Sequence, residues 1–213
     1  MRRGLILTLA LLCSQAGAQV LFFEYHTASA SPPDSTIGID AFNRTDENPL
    51  ANGTWRKWYS ANQVKLLSNQ AQYSTIQTDC FSAWITPTAT DAEIKVRYIS
   101  GSTGNDFGVC AHMDSASGNA YVYEYYANIV ALFKIVAGSW GTYVAWTSYT
   151  IQANDTLKFR VTTISGGYRL TGYINSTQKV TYDDTVSPLA AGRVGVYSYE
   201  GIFDDFSAKN IAP

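Results

Sequence analysis

"AEIKVRYI", residues 92–99, decides the fold class. Ala92, Ile94, Val96 and Tyr98 alternate with Glu93, Lys95 and Arg97. Successive side chains of an extended strand point to opposite faces, so this run buries one face and wets the other. The same reading extends in both directions. "DFGVCAHM" (106–113) places Phe107, Val109, Ala111 and Met113 inward, with Cys110 and His112 opposite. "AYVYEYY" follows the turn "DSASGN", then comes "ALFKIV", in which Lys134 interrupts an apolar stretch. Later runs are "LKFRVTTI", "YRLTGYI", "KVTYDD", "RVGVYSYE" and "FDDFSAKN", and "ISGGYRL" predicts a hairpin turning through Gly166–Gly167.

No long helical period and no internal repeat interrupts this series. Tyr is abundant at 15 residues, and Thr and Val are plentiful, which suits pleated, half-buried surfaces. The pattern predicts an all-β fold, a two-sheet antiparallel sandwich whose inward faces share one core. A chain of 213 residues holds one substantial core, so residues 36–213 are expected to form a single domain.

Residues 1–18 read as an export signal. Arg2 and Arg3 form the basic start, Gly4 to Ser14 the apolar stretch, and Ala16-Gly17-Ala18 the small-residue cleavage site. The apolar run is short for a bilayer, so no stable membrane insertion is expected after cleavage. Residues 19–35 read as a leader strand or linker. The expected location is secreted or at the extracellular surface, with the periplasm open. Two of the 15 basic residues and none of the 17 acidic ones fall in the signal, so without it the formal charge drops from −2 to −4. That balance gives no electrostatic handle for nucleic acid. Cys80 and Cys110 remain; in an exported chain they either close a disulfide loop of about thirty residues or are simply buried.

The order of runs resembles the concanavalin A-like lectin/glucanase jelly roll, in its lamin-G-like and pentraxin-like version. The resemblance rests on the opening "DAFNR…ENPL…W" (Asp40, Phe42, Arg44, Pro49, Leu50, Trp55) and on the closing "AGRVGVYSYEGIFDDFSAKN". It rests also on two central hairpins, 107–140 and 154–180, and spans roughly residues 38–210. It implies that the first and last strands are neighbours, with Asp40–Phe42 beside Phe203–Phe206 as a structural seam. Glucanases of that superfamily carry ExDxE, because retaining hydrolysis needs two carboxylates about 5 Å apart. No ExDxE occurs here, and Glu93, Glu124 and Asp204–Asp205 have no carboxylate partner at i+2, so no catalytic residue is assigned and the reading leans away from an enzyme. Cys110 and His112 share a predicted face without further signs of a nucleophile and base.

The resemblance also implies a glycan-binding sheet face. Hairpin pairing aligns Lys95, Cys110, Glu124 and Lys134, with Arg97, His112, Tyr126 and Arg160 nearby; a solvated face of cross-strand ion pairs fits the same pattern. Trp58, Trp140, Tyr143 and Trp146 are candidates for stacking on sugar rings, whereas Trp55 and Trp84 are expected in the core. Many members of the fold hold calcium, and Asp46, Glu47 and Asn48 are the best loop donors for it, with Asn105, Asp106, Asp114 and Asn119 behind them. The sequons at Asn43, Asn52, Asn154 and Asn175 read as incidental to an Asn- and Thr-rich β chain. The leading expectation is a non-catalytic module whose partner is carbohydrate or a cell-surface glycan. The alternatives are a glycoside-processing hydrolase of the same fold, and a structural or adhesive subunit of a virion or filament. In the last case a homo-oligomer would form with "QVLFFEYHTASA", residues 19–30, as a donor strand to a neighbour.

Overall fold

The computed structural model describes residues 34–50, 53–59, 62–74, 79–84, 89–101 and 106–212. The expected signal, most of the leader, Asn52 and Asn105 lie outside the described residues. Among the described residues there are sixteen strands and no helix. They are β1 (Ser35–Asp40), β2 (Trp55–Lys57), β3 (Lys65–Leu67), β4 (Gln70–Gln72), β5 (Cys80–Trp84), β6 (Ala92–Gly101), β7 (Phe107–Asp114) and β8 (Asn119–Tyr126). The second half holds β9 (Ile129–Val136), β10 (Ser139–Trp140), β11 (Ala145–Ser148), β12 (Thr156–Ile164), β13 (Gly167–Ile174), β14 (Thr177–Asp184), β15 (Arg193–Ser198) and β16 (Gly201–Asn210).

The strands form two antiparallel sheets. The first runs β14-β13-β12-β6-β16-β4-β3, with β1 also on β16; the second runs β10-β9-β8-β7-β15-β5-β2, with β11 on β9. The alternating apolar positions meet between them. Ile94, Val96, Leu157, Phe159 and Val161 of the first sheet pack with Val109, Tyr121, Tyr123, Leu132 and Val196 of the second, all buried. Fully burying one such side chain is worth about 1.5–3 kcal/mol, which makes the sandwich the consequence of the period-two pattern. This is the all-β two-sheet jelly-roll sandwich that the strand pattern predicts.

The seam between the first and last strands is present. Asp40 lies opposite Phe206 on β16, and Phe42 meets the Phe203 ring at 6.2 Å. Asp40 accepts bonds from the Phe42 amide, the Trp55 indole N–H (both 2.8 Å) and Arg44 Nη1 (2.6 Å). Trp55 is buried and Trp84 packs against the same core.

Three local expectations are corrected. A β-bulge interrupts β7 after Ala111, where His112 takes a left-handed φ of 51°. The extra residue reverses the later side chains: His112 turns in towards the Tyr121 and Tyr168 rings, and Met113 turns out. The hairpin between β12 and β13 turns at Ser165–Gly166, one residue early, because Ile164 pairs with Gly167 and Gly166 carries a φ of 82°. Cys80 and Cys110 are both buried and are not joined to each other. Cys80 belongs to the core between the sheets and Cys110 to the outer side of the second, with β15 between their strands.

Candidate functional site

The outer face of the second sheet carries a smaller apolar cluster of its own, including Trp58, Phe81, Cys110, Val122 and Tyr197. Cross-strand register sets a row along this face. Trp146 on β11 lies opposite Ala131, Ala131 opposite Glu124, Glu124 opposite Gly108, Gly108 opposite Tyr197, and Tyr197 opposite Phe81. Small residues therefore flank Glu124 on both sides. At Gly108 a side chain has no room, since an added Cβ would lie 2.5 Å from the Tyr123 carbonyl oxygen and 3.0 Å from Glu124 Cβ.

Rings cross the face in an unbroken file. Trp58 meets Phe81 at 4.7 Å, Phe81 meets Tyr197 at 4.7 Å, Tyr197 meets Trp140 at 5.2 Å, and Trp140 meets Phe133 at 5.2 Å. Tyr143 follows at 5.9 Å from Phe133, and Trp146 at 5.8 Å from Tyr143. The file begins buried and ends in water: Trp58 is 2% exposed and Trp146 52%. Trp58, expected as a free stacking surface, is thus part of the support beneath it.

Acids stand along this file. Asp79, Asp106 and Glu124 share an open depression of about 300 Å³ with Tyr126, Phe133, Trp140, Tyr197 and Tyr199. That volume is at the small end of the range for ligand sites. Asp79 is held by two rings, accepting from Trp140 Nε1 at 2.9 Å and Tyr197 OH at 3.0 Å. Asp106 anchors the strand-to-strand turn through its carbonyl, which accepts from the amides of Tyr199, Glu200 and Gly201. Its Oδ1 is buried without a protein partner, as is Glu124 Oε2. Burial pushes the Asp106 carboxyl up to about 7, with the charges of Glu200 and Asp79 adding to it. Burial, then Asp106 and Asp79, push Glu124 well above the ordinary carboxylate range. The site is therefore a carboxyl pair beside aromatic faces, with Glu124 held towards its protonated form and Asp106 exchanging its proton near neutral pH, so the pair can donate as well as accept hydrogen bonds.

Five of the sequence candidates for glycan contact line the depression or the exposed end of the ring file: Glu124, Tyr126, Trp140, Tyr143 and Trp146. Trp58 and Cys110 lie in the apolar cluster of the same face, and the remaining candidates for glycan contact lie elsewhere. Lys95, Arg97 and Arg160 project from the first sheet. Arg97 bonds Asp205 (2.6 Å) and Asp204 (3.0 Å), which a bulge in β16 turns to the same side. Lys134 lies on the inner side of β9, 2.6 Å from the carboxylate of Asp184. The two-residue turn Ala127–Asn128 pairs Glu124 with Ala131, so Phe133 and not Lys134 shares the Glu124 face. His112 Nε2 lies 2.9 Å from the Thr90 carbonyl oxygen, and burial holds its pKa below the usual value despite this contact and that with Leu189. Cys110 and His112 consequently face apart.

Asp79, Phe133, Tyr197 and Tyr199 are the members that sequence reading missed, and Asp106 was named only as a loop donor for calcium. A strict count through the Ala127–Asn128 turn would have found Phe133; Asp79 and Asp106 come from the entries of β5 and β7 and leave no linear spacing to Glu124 within β8.

The donors expected for calcium are otherwise engaged. Asp46 Oδ1 accepts from the Ser68 amide at 2.8 Å, and Glu47 accepts from Arg44 at 2.8 Å. Asn48 precedes a cis Pro49. Among the described residues no group of three or more His, Cys, Asp or Glu is placed to hold a metal ion.

No family model matches the chain, and no curated protein matches it in sequence. Solved structures do match in shape. The carbohydrate-binding module CBM66 from Bacillus subtilis is 15% identical, with 85% of this chain and 98% of that one covered and a TM-score of 0.54. A prokaryotic β-1,3-1,4-glucanase (lichenase) from a mouse hindgut metagenome is 9% identical over 82% of this chain and 99% of that one, TM-score 0.56. The carbohydrate recognition domain of Emp46p in its potassium-bound form is 11% identical over 82% and 95%, TM-score 0.54. Strand order, sheet pairing and these likenesses agree: the chain has the concanavalin A-like jelly-roll fold.

Proposed function

We propose that the chain is an exported carbohydrate-binding module whose ligand lies across the outer face of the second sheet. The observation that carries this reading is the file of rings from Trp58 to Trp146, bordered by Asp79, Asp106 and Glu124. Sugar rings stack their C–H faces on aromatic side chains and bond their hydroxyls to a few convergent polar groups. Tyr126, Tyr143 and Trp146 offer the exposed rings, and the carboxyls of Asp79, Asp106 and Glu124 line the depression beside them. Carbohydrate-binding proteins among the structural likenesses support the same reading. Export rests on the signal-like residues 1–18.

A glycan array probed with the wild-type chain is expected to give binding to a defined set of oligosaccharides. Trp146→Ala removes an exposed ring without opening the core, and is expected to weaken that binding about tenfold, or 1.4 kcal/mol. An array without signal, or one unaltered by this substitution, would sink the proposal.

A second reading, hydrolysis of a glycosidic bond, is favoured by one observation: Glu124 and Asp106 face one depression with both carboxyls shifted towards the protonated form. General acid catalysis needs a carboxyl of that kind. Under this reading an oligosaccharide that binds on the array releases reducing ends, and Glu124→Gln abolishes the release while binding persists. Bound sugar recovered intact after prolonged incubation leaves the binding module alone standing.

A further inference from the structure

The opposite side of the molecule carries a different surface. On the outer face of the first sheet, Lys95 of β6 lies directly opposite Lys158 of β12. Like charges in that position repel and weaken a sheet. Neither lysine has a carboxylate partner within ion-pairing distance among the described residues. Glu93 serves Arg160 at 2.6 Å, and the nearest carboxylate to Lys209 is Asp34, also at 2.6 Å. Lys158 instead rests its ammonium over the Tyr173 ring, 4.3 Å from the centroid. Burial lowers its pKa, and Arg160, Lys95 and Lys209 add to the effect against Glu93.

We propose that this face is a binding track for a linear anionic polysaccharide, with Lys95 and Lys158 at its centre. The register continues the row to Ser207 and Ile39 on one side and to Tyr173 on the other. Five neighbouring strands at their ordinary spacing make a track about 19 Å long. A depression of about 270 Å³ beside Ile39 and Lys209 lies at one end, and one of about 450 Å³ beside Arg169 and Thr171 at the other. Ammonium groups spaced among hydroxyls match a polymer with one carboxylate or sulfate per few sugar hydroxyls. Nucleic acid fits less well, because the only ring in the row is already covered by Lys158 and no base can stack there. An anion seated between the two lysines removes their repulsion, so the ligand and the fold stabilise each other.

The test uses the full chain with polygalacturonate and dextran sulfate as probes and neutral dextran as the control, at low and raised ionic strength. Both polyanions are expected to bind, dextran not, with affinity falling as salt rises. Lys95→Gln with Lys158→Gln should weaken binding by about tenfold, whereas Trp146→Ala on the other sheet should leave it unaltered, which keeps this site and the glycan site separable. Without ligand, Lys95→Gln alone should raise the melting temperature by about 1–3 °C at low salt, because it relieves Lys158 and leaves the Tyr173 contact in place. The proposal is overturned by polyanion binding that the double substitution leaves intact. Binding only to single-stranded DNA or to phosphatidylserine vesicles, no polyanion binding at low salt, or a lower melting temperature for Lys95→Gln would each overturn it as well.

Discussion

Replacing Asp106 by Asn is expected to make the protein more stable at pH 8 and to flatten its loss of stability between pH 4 and pH 7. The carboxyl titrates at about 7 in the folded chain against an ordinary 3.8, first because it is buried and then because Glu200 and Asp79 stand near it. Between those two values the folded state holds a proton that the unfolded state has released. Stability therefore falls as pH rises through this window and levels off above it. A shift is worth about 1.4 kcal/mol per unit; with solvent screening at the open mouth of the depression discounted, about 2 kcal/mol remains. Asn keeps the shape and carries no proton to lose. At 2–4 °C per kcal/mol, Asp106→Asn should melt roughly 5 °C above wild type at pH 8 and close to it at pH 4. Thermal melts across that range decide the matter: parallel curves for the two proteins would mean that Asp106 is not the acid held protonated by the fold.

Lys134→Met should act in the opposite direction, and more strongly. The ammonium of Lys134 lies 2.6 Å from Asp184, which is 2% exposed, and also bonds the backbone and hydroxyl of Ser187. Tyr121 OH donates to the same carboxylate at 2.7 Å and accepts from the Leu189 amide at 2.8 Å. Burial works against the charge on Asp184, yet the bonds from Lys134 and Tyr121 outweigh it and hold the pKa low. Removing the lysine strands a buried carboxylate, which costs about 3–5 kcal/mol, or a fall of roughly 10 °C in melting temperature. Adding Asp184→Asn should recover much of the loss, because the stranded charge goes with it. Glycan binding by Lys134→Met, measured below its melting point, should match wild type. A variant that keeps its stability but loses the ligand would return Lys134 to the binding face.

That contrast marks where the sequence was legible. Alternation in "AEIKVRYI" determined which residues face the core, because a period of two admits one assignment of faces once a strand is accepted. The Asp40–Phe42 and Phe203–Phe206 seam was legible only through the resemblance to the jelly-roll family, because strands so far apart in sequence carry no local sign that they pair. The site was half legible. Glu124, Tyr126, Trp140, Tyr143 and Trp146 share a face, but Lys134 and His112 were placed one residue out of phase. Each error has a backbone cause, the two-residue turn at Ala127–Asn128 and the left-handed residue at His112. Composition announces neither. Lys95 and Arg97 failed differently: their strand lies in the other sheet, a long-range fact that no local pattern encodes. The carboxyl group of Asp106 was invisible as a site member because its neighbours Asp79 and Glu124 are reached across strands, not along one.

The sheet order also governs when the molecule can form. β16 sits between β6 and the pair β1 and β4, while β15 sits between β7 and β5. Both central strands thus come from residues 193–210, near the C-terminal end of the described chain. During synthesis the first sheet remains three unjoined pieces (β14-β13-β12-β6, β4-β3 and β1) and the second two, each with a bare hydrogen-bonding edge, until these strands have left the ribosome. The fold is therefore completed late and all at once, by distant pairings that are slow to find. Until β15 and β16 emerge, five strands (β1, β4, β5, β6 and β7) keep an open edge, each a template on which another strand could pair.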